Sequence, residues 1–223
     1  MLTPAGTKTY WDRKASSWDA IYLEESPSSR RINMLLRRAI FDRFSAALRA
    51  LPDLTGRSVL DIGCGSGRLS VEAARRGAAR VVGLDFAPNM LEIARTLAQR
   101  EGVGERCEFR QGDFMALDLG GEKFDLVVAN GFFDYMGDPQ AVLSRMVQLS
   151  RGAVVASFPG KQPVRSFLRK LRYQLQGCAV YFYSEQDVRR LAEKAGLRDY
   201  DLHHLNHSGT GYILVGRVEG AAA

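Results

Sequence analysis

Between residues 54 and 158, short apolar runs alternate with stretches in which apolar residues recur at helical spacing. Ser58–Ile62 reads as a buried strand, and Ala79–Leu84, Cys107–Gln111, Phe124–Ala129 and Gly152–Phe158 read as four more strands. Gly67–Arg76, Pro88–Glu101 and Pro139–Leu149 carry the helical period. This alternation predicts a mainly parallel sheet with crossover helices on both faces, a doubly wound α/β fold.

The flanks have a different rhythm. Met1–Thr9 reads as a loose tail, and Tyr10–Tyr22 gathers Tyr10, Trp11, Trp18 and Tyr22. Ser28 or Ser29 caps an expected helix over Arg30–Leu51, where Ile32, Leu35, Leu36, Ala39, Ile40 and Phe44 keep helical spacing and Arg43 alone breaks the apolar series. Beyond the fifth strand, Lys161–Gln176 is basic and amphipathic, with Val164, Phe167, Leu168, Leu171 and Leu175 on one face. Ser184 and Asp187 form a capping-box pattern for a helix reaching Ala195 and stopped by Gly196. Asp199–Leu205 and Tyr212–Arg217 bring the expected strand count to seven, and Glu219–Ala223 reads as a disordered tail. The expected organisation is one domain over 1–223, with N-terminal lid and helices in 1–51, a core in 52–158, a cap in 159–180 and the C-terminal part of the sheet in 181–218.

The strand-to-helix junction Val59-Leu60-Asp61-Ile62-Gly63-Cys64-Gly65-Ser66-Gly67 carries the strongest motif. Glycines there let the backbone turn tightly and let a ligand approach it, and the helix amides that follow favour a polar or anionic group. A dinucleotide loop needs Gly-x-Gly-x-x-Gly, but the sixth position is Arg68 counted from Gly63 and Ser70 counted from Gly65. No Gly-Lys-Ser/Thr follows, so a Walker A loop is excluded too. The spacing Gly63-x-Gly65-x-Gly67, preceded by Asp61, resembles class I S-adenosylmethionine (SAM)-dependent methyltransferases.

The resemblance continues in order along the chain, through Val81-Val82-Gly83-Leu84-Asp85, Phe86-Ala87-Pro88-Asn89-Met90, Gln111-Gly112-Asp113-Phe114 and Phe124-Asp125-Leu126-Val127-Val128-Ala129-Asn130. It implies a Rossmann-like sheet and SAM as cofactor, with S-adenosylhomocysteine (SAH) as product and no metal. It assigns Asp61, Gly63, Gly65 and Gly67 to the cofactor loop. Asp85 is assigned to the ribose hydroxyls, with Phe86 and Met90 beside it. Asp113 takes the adenine amino group, the Phe114 amide faces the ring, and Asn130 lies near the methionine portion. Asp85 follows Gly63 by 22 residues, close to the interval for a ribose-binding acid. Trp18–Tyr22, Arg30-Arg31 and Ser157–Pro163 are faintly similar to magnesium-protoporphyrin O-methyltransferases.

Methyl transfer from a sulfonium is an in-line displacement in which the protein chiefly positions the nucleophile. Some acceptors need a base and others need none, so the family implies no universal catalytic residue. Asp134, in Asn130-Gly131-Phe132-Phe133-Asp134-Tyr135-Met136, is the candidate base or substrate anchor, against a helix or turn cap before Gly137-Asp138-Pro139 as the plainer reading. Phe132 and Phe133 read as pocket wall or core. His207 is a second candidate base. His203 and His207 have a metal-type interval only on a helix, and this segment reads as strand and turn. Tyr10, Trp11, Trp18 and Tyr22 are lid candidates, while Arg30 and Tyr135 are expected at the substrate.

Composition and charge then narrow the function. The 223 residues are 46% hydrophobic and 25% charged, ordinary values for a globular chain. No run of 18 apolar residues offers a membrane span, and the start of the chain lacks the apolar core of a secretory signal. Cys64, Cys107 and Cys178 are too widely spaced for a metal pattern and read as plain thiols in a cytoplasmic setting. The net charge of +6 comes from 6 Lys and 25 Arg against 25 acids, and Lys161–Gln176 contains no acid. That stretch suits a cap, a peripheral membrane contact or RNA phosphates, with the cap favoured by its place after the fifth strand. The leading expectation is O-methylation of a small, acidic acceptor. The alternatives are an RNA or protein methyltransferase, a NAD(P) oxidoreductase and a SAM-binding protein without catalysis. The Asn-Pro-Pro-Tyr type of motif is missing after Asn130, which argues against methylation of a planar amine.

Overall fold

The computed structural model describes residue 11, residues 40–205 and residues 211–218. Its strands are β1 (Ser58–Ile62), β2 (Arg80–Asp85), β3 (Cys107–Gln111), β4 (Phe124–Ala129), β5 (Ser150–Pro159), β6 (Asp199–His204) and β7 (Gly211–Arg217). Its helices are α1 (residues 40–50), α2 (Arg68–Arg75), α3 (Pro88–Arg100), α4 (Pro139–Leu149), α5 (Pro163–Gln174) and α6 (Glu185–Lys194). The strands form one sheet in the order β3-β2-β1-β4-β5-β7-β6. β1 to β5 pair in parallel and β7 enters antiparallel between β5 and β6.

Side chains on the central strands alternate between two apolar layers. Leu60, Ile62, Val82, Leu84, Val127, Ala129, Val154, Ala156 and Leu214 face the layer of α4 and α6. Val59, Val81, Leu126, Val128, Val155 and Ile213 face the layer that holds α2, α3 and Ala47 of α1. Burial on both sides explains why these strands read as nearly continuous apolar runs rather than strict alternations.

Observed boundaries depart from the sequence pattern for local reasons. β5 extends to Pro159 because it pairs with β7 over Ala153–Pro159. α5 starts at Pro163 rather than Lys161, because the Lys161 amide donates to the Tyr183 carbonyl and a proline fits the first helical turn. The Ser184 hydroxyl accepts from the Asp187 amide while the Asp187 carboxylate accepts from the Ser184 amide, completing the capping box. The expected cap at Ser28 or Ser29 and both tails lie outside the described residues.

An aromatic series ties the end of β4 to the end of β5. Phe133 and Phe158 lie with centroids 4.3 Å apart, and Phe158 meets Tyr183 edge-on at 5.2 Å. Both phenylalanines are fully buried, and the Tyr183 hydroxyl donates to the Phe133 carbonyl. In β1 one polar side chain interrupts the apolar core. Asp61 is 2% exposed and accepts a 2.6 Å hydrogen bond from the Ser70 hydroxyl. Burial pushes its carboxyl up to about 7; the Asp85 charge adds to this, and the Ser70 hydrogen bond opposes it.

Two outcomes follow from this core. Phe158→Ala removes a ring with no room to relax and is expected to lower the unfolding free energy by about 3–5 kcal/mol, read by urea denaturation. Asp61 binds its proton more tightly in the folded than in the unfolded chain. Its contribution therefore favours folding at acidic pH and is lost as pH rises from about 4 through about 7. The stability of the parent relative to Asp61→Asn should accordingly fall between pH 5 and pH 8. At 1.36 kcal/mol per pKa unit the ceiling on the whole fall, from about pH 4 to above pH 7, is about 4 kcal/mol.

Candidate active site

Four neighbouring parallel strands end on the same side of the sheet. Ile62 aligns with Leu84, and Asp85 aligns with Gln111, so Gly63, Asp85 and Gln111 lie side by side. The chain leaves β4 at Asn130 one strand further along. Ligands of open α/β sheets bind at the carboxyl ends of the strands, where the strand order reverses, here between β1 and β4.

The glycine loop is held from β2. The Cys64 amide donates to the Leu84 carbonyl, and the Gly65 amide donates to the Asp85 carboxylate at 2.9 Å. The second Asp85 oxygen accepts from the Ala87 amide, fixing the entry to α3. Gly67 has φ +75, and a Cβ there would come within 2.7 Å of Ala94 Cβ, so this glycine serves helix-to-helix packing. Gly65 has φ +53 and a Cβ there would meet nothing within 4 Å. Its outer side is open, as a loop that receives a ligand requires.

Asp113 ends β3 in a turn, with Oδ1 accepting from the Met115 amide and the side chain exposed. Phe114 is buried, edge-on to Phe132 and beneath the Arg145 guanidinium. Met90 is buried, with Phe86 and Trp11 packed against it. The Asn130 Oδ1 is buried and has no hydrogen-bond partner among the described residues. The next amide, Gly131, donates to the buried Ser157 hydroxyl at 2.7 Å.

Asp134 is 1% exposed and caught between two arginines. Oδ1 accepts from Arg43 Nη1 of α1 at 2.7 Å, and Oδ2 accepts from Arg169 Nη2 of α5 at 2.6 Å. Its backbone carbonyl accepts from the Tyr181 amide. The plainer reading of Asp134 as a cap for the following helix is corrected, since Asp138 caps α4 by accepting from the Ala141 amide. Burial opposes the charge on Arg169, but Asp134, Tyr135 and Tyr173 more than offset it and raise its pKa. The Tyr135 ring packs edge-on against Trp11 at 5.2 Å and lies 6.2 Å from Tyr173. Desolvation first, then the Tyr173 and Asp134 charges, push its phenol well up.

Trp11 thus touches both the Phe86–Met90 side and the Tyr135–Tyr173 side of the site. Tyr10, Trp18, Tyr22, Arg30, Arg31 and His207 lie outside the described residues. His203 and His204 are exposed on β6, and His204 Nε2 lies 3.2 Å from Glu185. No group of three or more His, Cys, Asp or Glu among the described residues is arranged to hold a metal. Cys64 and Cys178 are buried and Cys107 is half-buried. The sequence reading assigned no role to Arg43 or Arg169. The available signals were the single charge in an apolar helical series for Arg43 and an acid-free stretch for Arg169.

Comparison with known proteins agrees with this geometry. Residues 54–196 match a family described as a methyltransferase domain. The chain is similar to the ribosomal protein L11 methyltransferase of Yersinia pseudotuberculosis serotype O:1b (strain IP 31758), with 44% identity over 79 residues, 35% of this chain and 26% of that protein. It therefore spans about a quarter of the length of the curated relatives it matches. Among solved structures it resembles magnesium protoporphyrin IX methyltransferase from Synechocystis PCC 6803 with bound SAH, at TM-score 0.72 and 24% identity, covering 95% of this chain and 98% of that one. It also resembles a possible histamine N-methyltransferase from Thermotoga maritima, at TM-score 0.68 and 17% identity, covering 95% and 99%. The likeness to the two structures is one of fold. With the family matched over more than half of its length, the chain belongs to the methyltransferase-domain family.

Proposed function

We infer that the protein transfers a methyl group from SAM to an oxygen of a small, anionic acceptor. The observation that carries the cofactor half is Asn130. A buried acceptor oxygen with no described partner is costly unless a ligand supplies the donor, and the methionine amino group is such a donor. The open side of Gly65 and the Asp85 carboxylate, already fixed by two backbone amides, suit the adenosine. Asp113 and the Phe114 amide would meet the adenine, and Phe86 and Met90 would pack beside it. Bound SAM supplies an electrophilic methyl on a sulfonium; the acceptor oxygen bonds to that carbon as the carbon–sulfur bond breaks, leaving SAH.

The acceptor half rests on the Arg43–Asp134–Arg169 group. Two guanidinium groups and one carboxylate leave a net positive charge close to Gly131, where Arg43 Nη1 lies 3.8 Å from the Cβ position. That charge favours an anion at the acceptor position. A carboxylate acceptor arrives ionised and needs no base, so an enzyme of this type needs only to orient it. Asp134 has both oxygens committed to arginines and acts as a positioning residue in this reading rather than as the base. Trp11 and Tyr135 close the site against water, which sharpens each electrostatic contact inside it.

A protein or RNA acceptor is the rival reading. The similarity to an L11 methyltransferase favours it, but the shared segment is only 79 residues. The cationic surface keeps RNA in view. Activity on bulk RNA or on ribosomal protein, with none on small carboxylic acids, would overturn the small-acceptor reading.

Calorimetric titration tests the cofactor. SAH is expected to bind while NAD does not, and Asn130→Ala or Asp85→Asn should weaken SAH by about tenfold or more, each removing a hydrogen bond to a polar ligand. No SAH binding at saturating ligand refutes the assignment. Asp134→Asn leaves two part-buried guanidinium groups without their counter-charge and is expected to cost about 2–3 kcal/mol of stability. If Asp134 only positions, the variant raises KM for the anionic acceptor and keeps the pH profile of kcat. Loss of the acidic limb of that profile would identify Asp134 as a base.

A further inference from the structure

Helix α5 turns its apolar side outward. At about 100° per residue, Phe167, Leu168, Leu171 and Leu175 fall within roughly a quarter-turn of arc, extending just past the helix end. This stripe is exposed: Phe167 by 65%, Leu168 by 58%, Leu171 by 46% and Leu175 by 81%. The opposite side packs inward through Arg169, bonded to Asp134, and through the buried Tyr173. Helices of globular proteins normally bury their leucines and expose their arginines, the reverse of this arrangement. A contiguous exposed patch of large apolar side chains marks an interaction surface.

The charge around the stripe selects the partner. No acid occurs between Gly160 and Ser184, and Lys170 and Arg172 flank the stripe on its two sides. At the sheet edges, by contrast, Arg80 and Arg110 are matched by Glu108 and Glu122, and Arg217 by Asp199 and Asp201. A second copy of the chain meeting this stripe would set cations against cations. The stripe covers about two turns of one helix, far short of the roughly 800 Å² per partner of a standard protein interface. An apolar face edged by Lys and Arg and free of acids is the pattern of a helix lying in a membrane interface.

We propose that α5 docks the protein onto an anionic phospholipid bilayer, with Phe167, Leu168, Leu171 and Leu175 entering the interface and Lys170 and Arg172 at the headgroup phosphates. The docking is peripheral, since no helix among the described residues is long and apolar enough to cross a membrane. It rests on α5 alone and is independent of the methyl-transfer reading.

Co-sedimentation of the full chain with vesicles tests it. Binding to phosphatidylcholine vesicles containing phosphatidylglycerol should exceed binding to pure phosphatidylcholine by about tenfold or more and should fall as salt is added. The double variant Phe167→Ser/Leu175→Ser should lose binding to the mixed vesicles, and Lys170→Glu/Arg172→Glu should weaken it and remove its salt dependence. Both pairs are distinct from the proposed active-site groups, so unchanged melting and SAH titration curves check that the fold is kept. Absence of pelleting with the mixed vesicles, equal pelleting with both kinds, or full binding by the serine variant overturns the proposal. A concentration-dependent dimer in sedimentation velocity that Phe167→Ser/Leu175→Ser abolishes also overturns it, assigning the face to a second copy.

Discussion

A single buried carboxylate joins three parts of the chain that do not otherwise share a secondary-structure element. Asp134 follows β4, Arg43 belongs to α1 and Arg169 to α5. Taking one carboxylate and two guanidinium groups out of water is costly, and the cost is offset only when the charges meet directly and well aligned. Contacts of 2.6 and 2.7 Å to opposite carboxylate oxygens bring the charges together directly. The positions of α1 and α5 over the strand ends are therefore tied to the loop that leaves β4. Arg169 also lies over the Tyr173 and Phe182 rings, so the aromatic cluster around Tyr135 depends on the same charge.

The sheet explains why this group sits beside the Gly63–Gly67 loop. β1 and β4 are neighbours, and the chain diverges in opposite directions from them. Their carboxyl ends create a crevice with the Gly63–Gly67 loop on one side and Asn130–Gly131 on the other. The two halves of the proposed reaction occupy different strand ends. The β1 and β2 ends present glycine amides and acids suited to a nucleoside, and the β4 end presents Asn130 and a net cationic group suited to an acceptor. The short Gly131-to-Ser157 hydrogen bond couples the β4 end to β5, which precedes α5.

The sheet was largely legible because its two ingredients are local. Burial on both faces makes apolar runs, and β1, β2, β3 and β5 end at or next to a glycine, an acid or a proline. β3, β4 and α4 coincide with the patterned segments, and the capping box at Ser184 forms as its spacing requires. The motif residues Gly63, Asp85 and Asn130 fall at the carboxyl ends of β1, β2 and β4, which are neighbours in the sheet. The ion group around Asp134 was not legible, since its members are separated by 91 and 35 residues and nothing in local spacing pairs them. Only Arg43, a charge within an apolar helical series, signalled a buried partner. The orientation of α5 was illegible for another reason. Periodicity shows that a helix has an apolar and a polar side, but not which side meets the rest of the protein.

That last ambiguity also settles how the net charge of +6 is to be understood. An excess of arginine spread over a surface of matched ion pairs has little directional effect, because exposed pairs are screened and individually weak. Much of the arginine here is of that kind, as on the β2–β3 edge where Arg80 and Arg110 share Glu108 and Glu122. The acid-free segment from Gly160 to Ser184 is different, because its cations share one element with an outward apolar stripe. Within it, Arg169 is used internally against Asp134, whereas Lys170 and Arg172 flank the stripe. One helix thus divides its positive charge between the interior of the site and the surface. The proposed anionic acceptor and the proposed anionic membrane surface are each matched to a different side of α5.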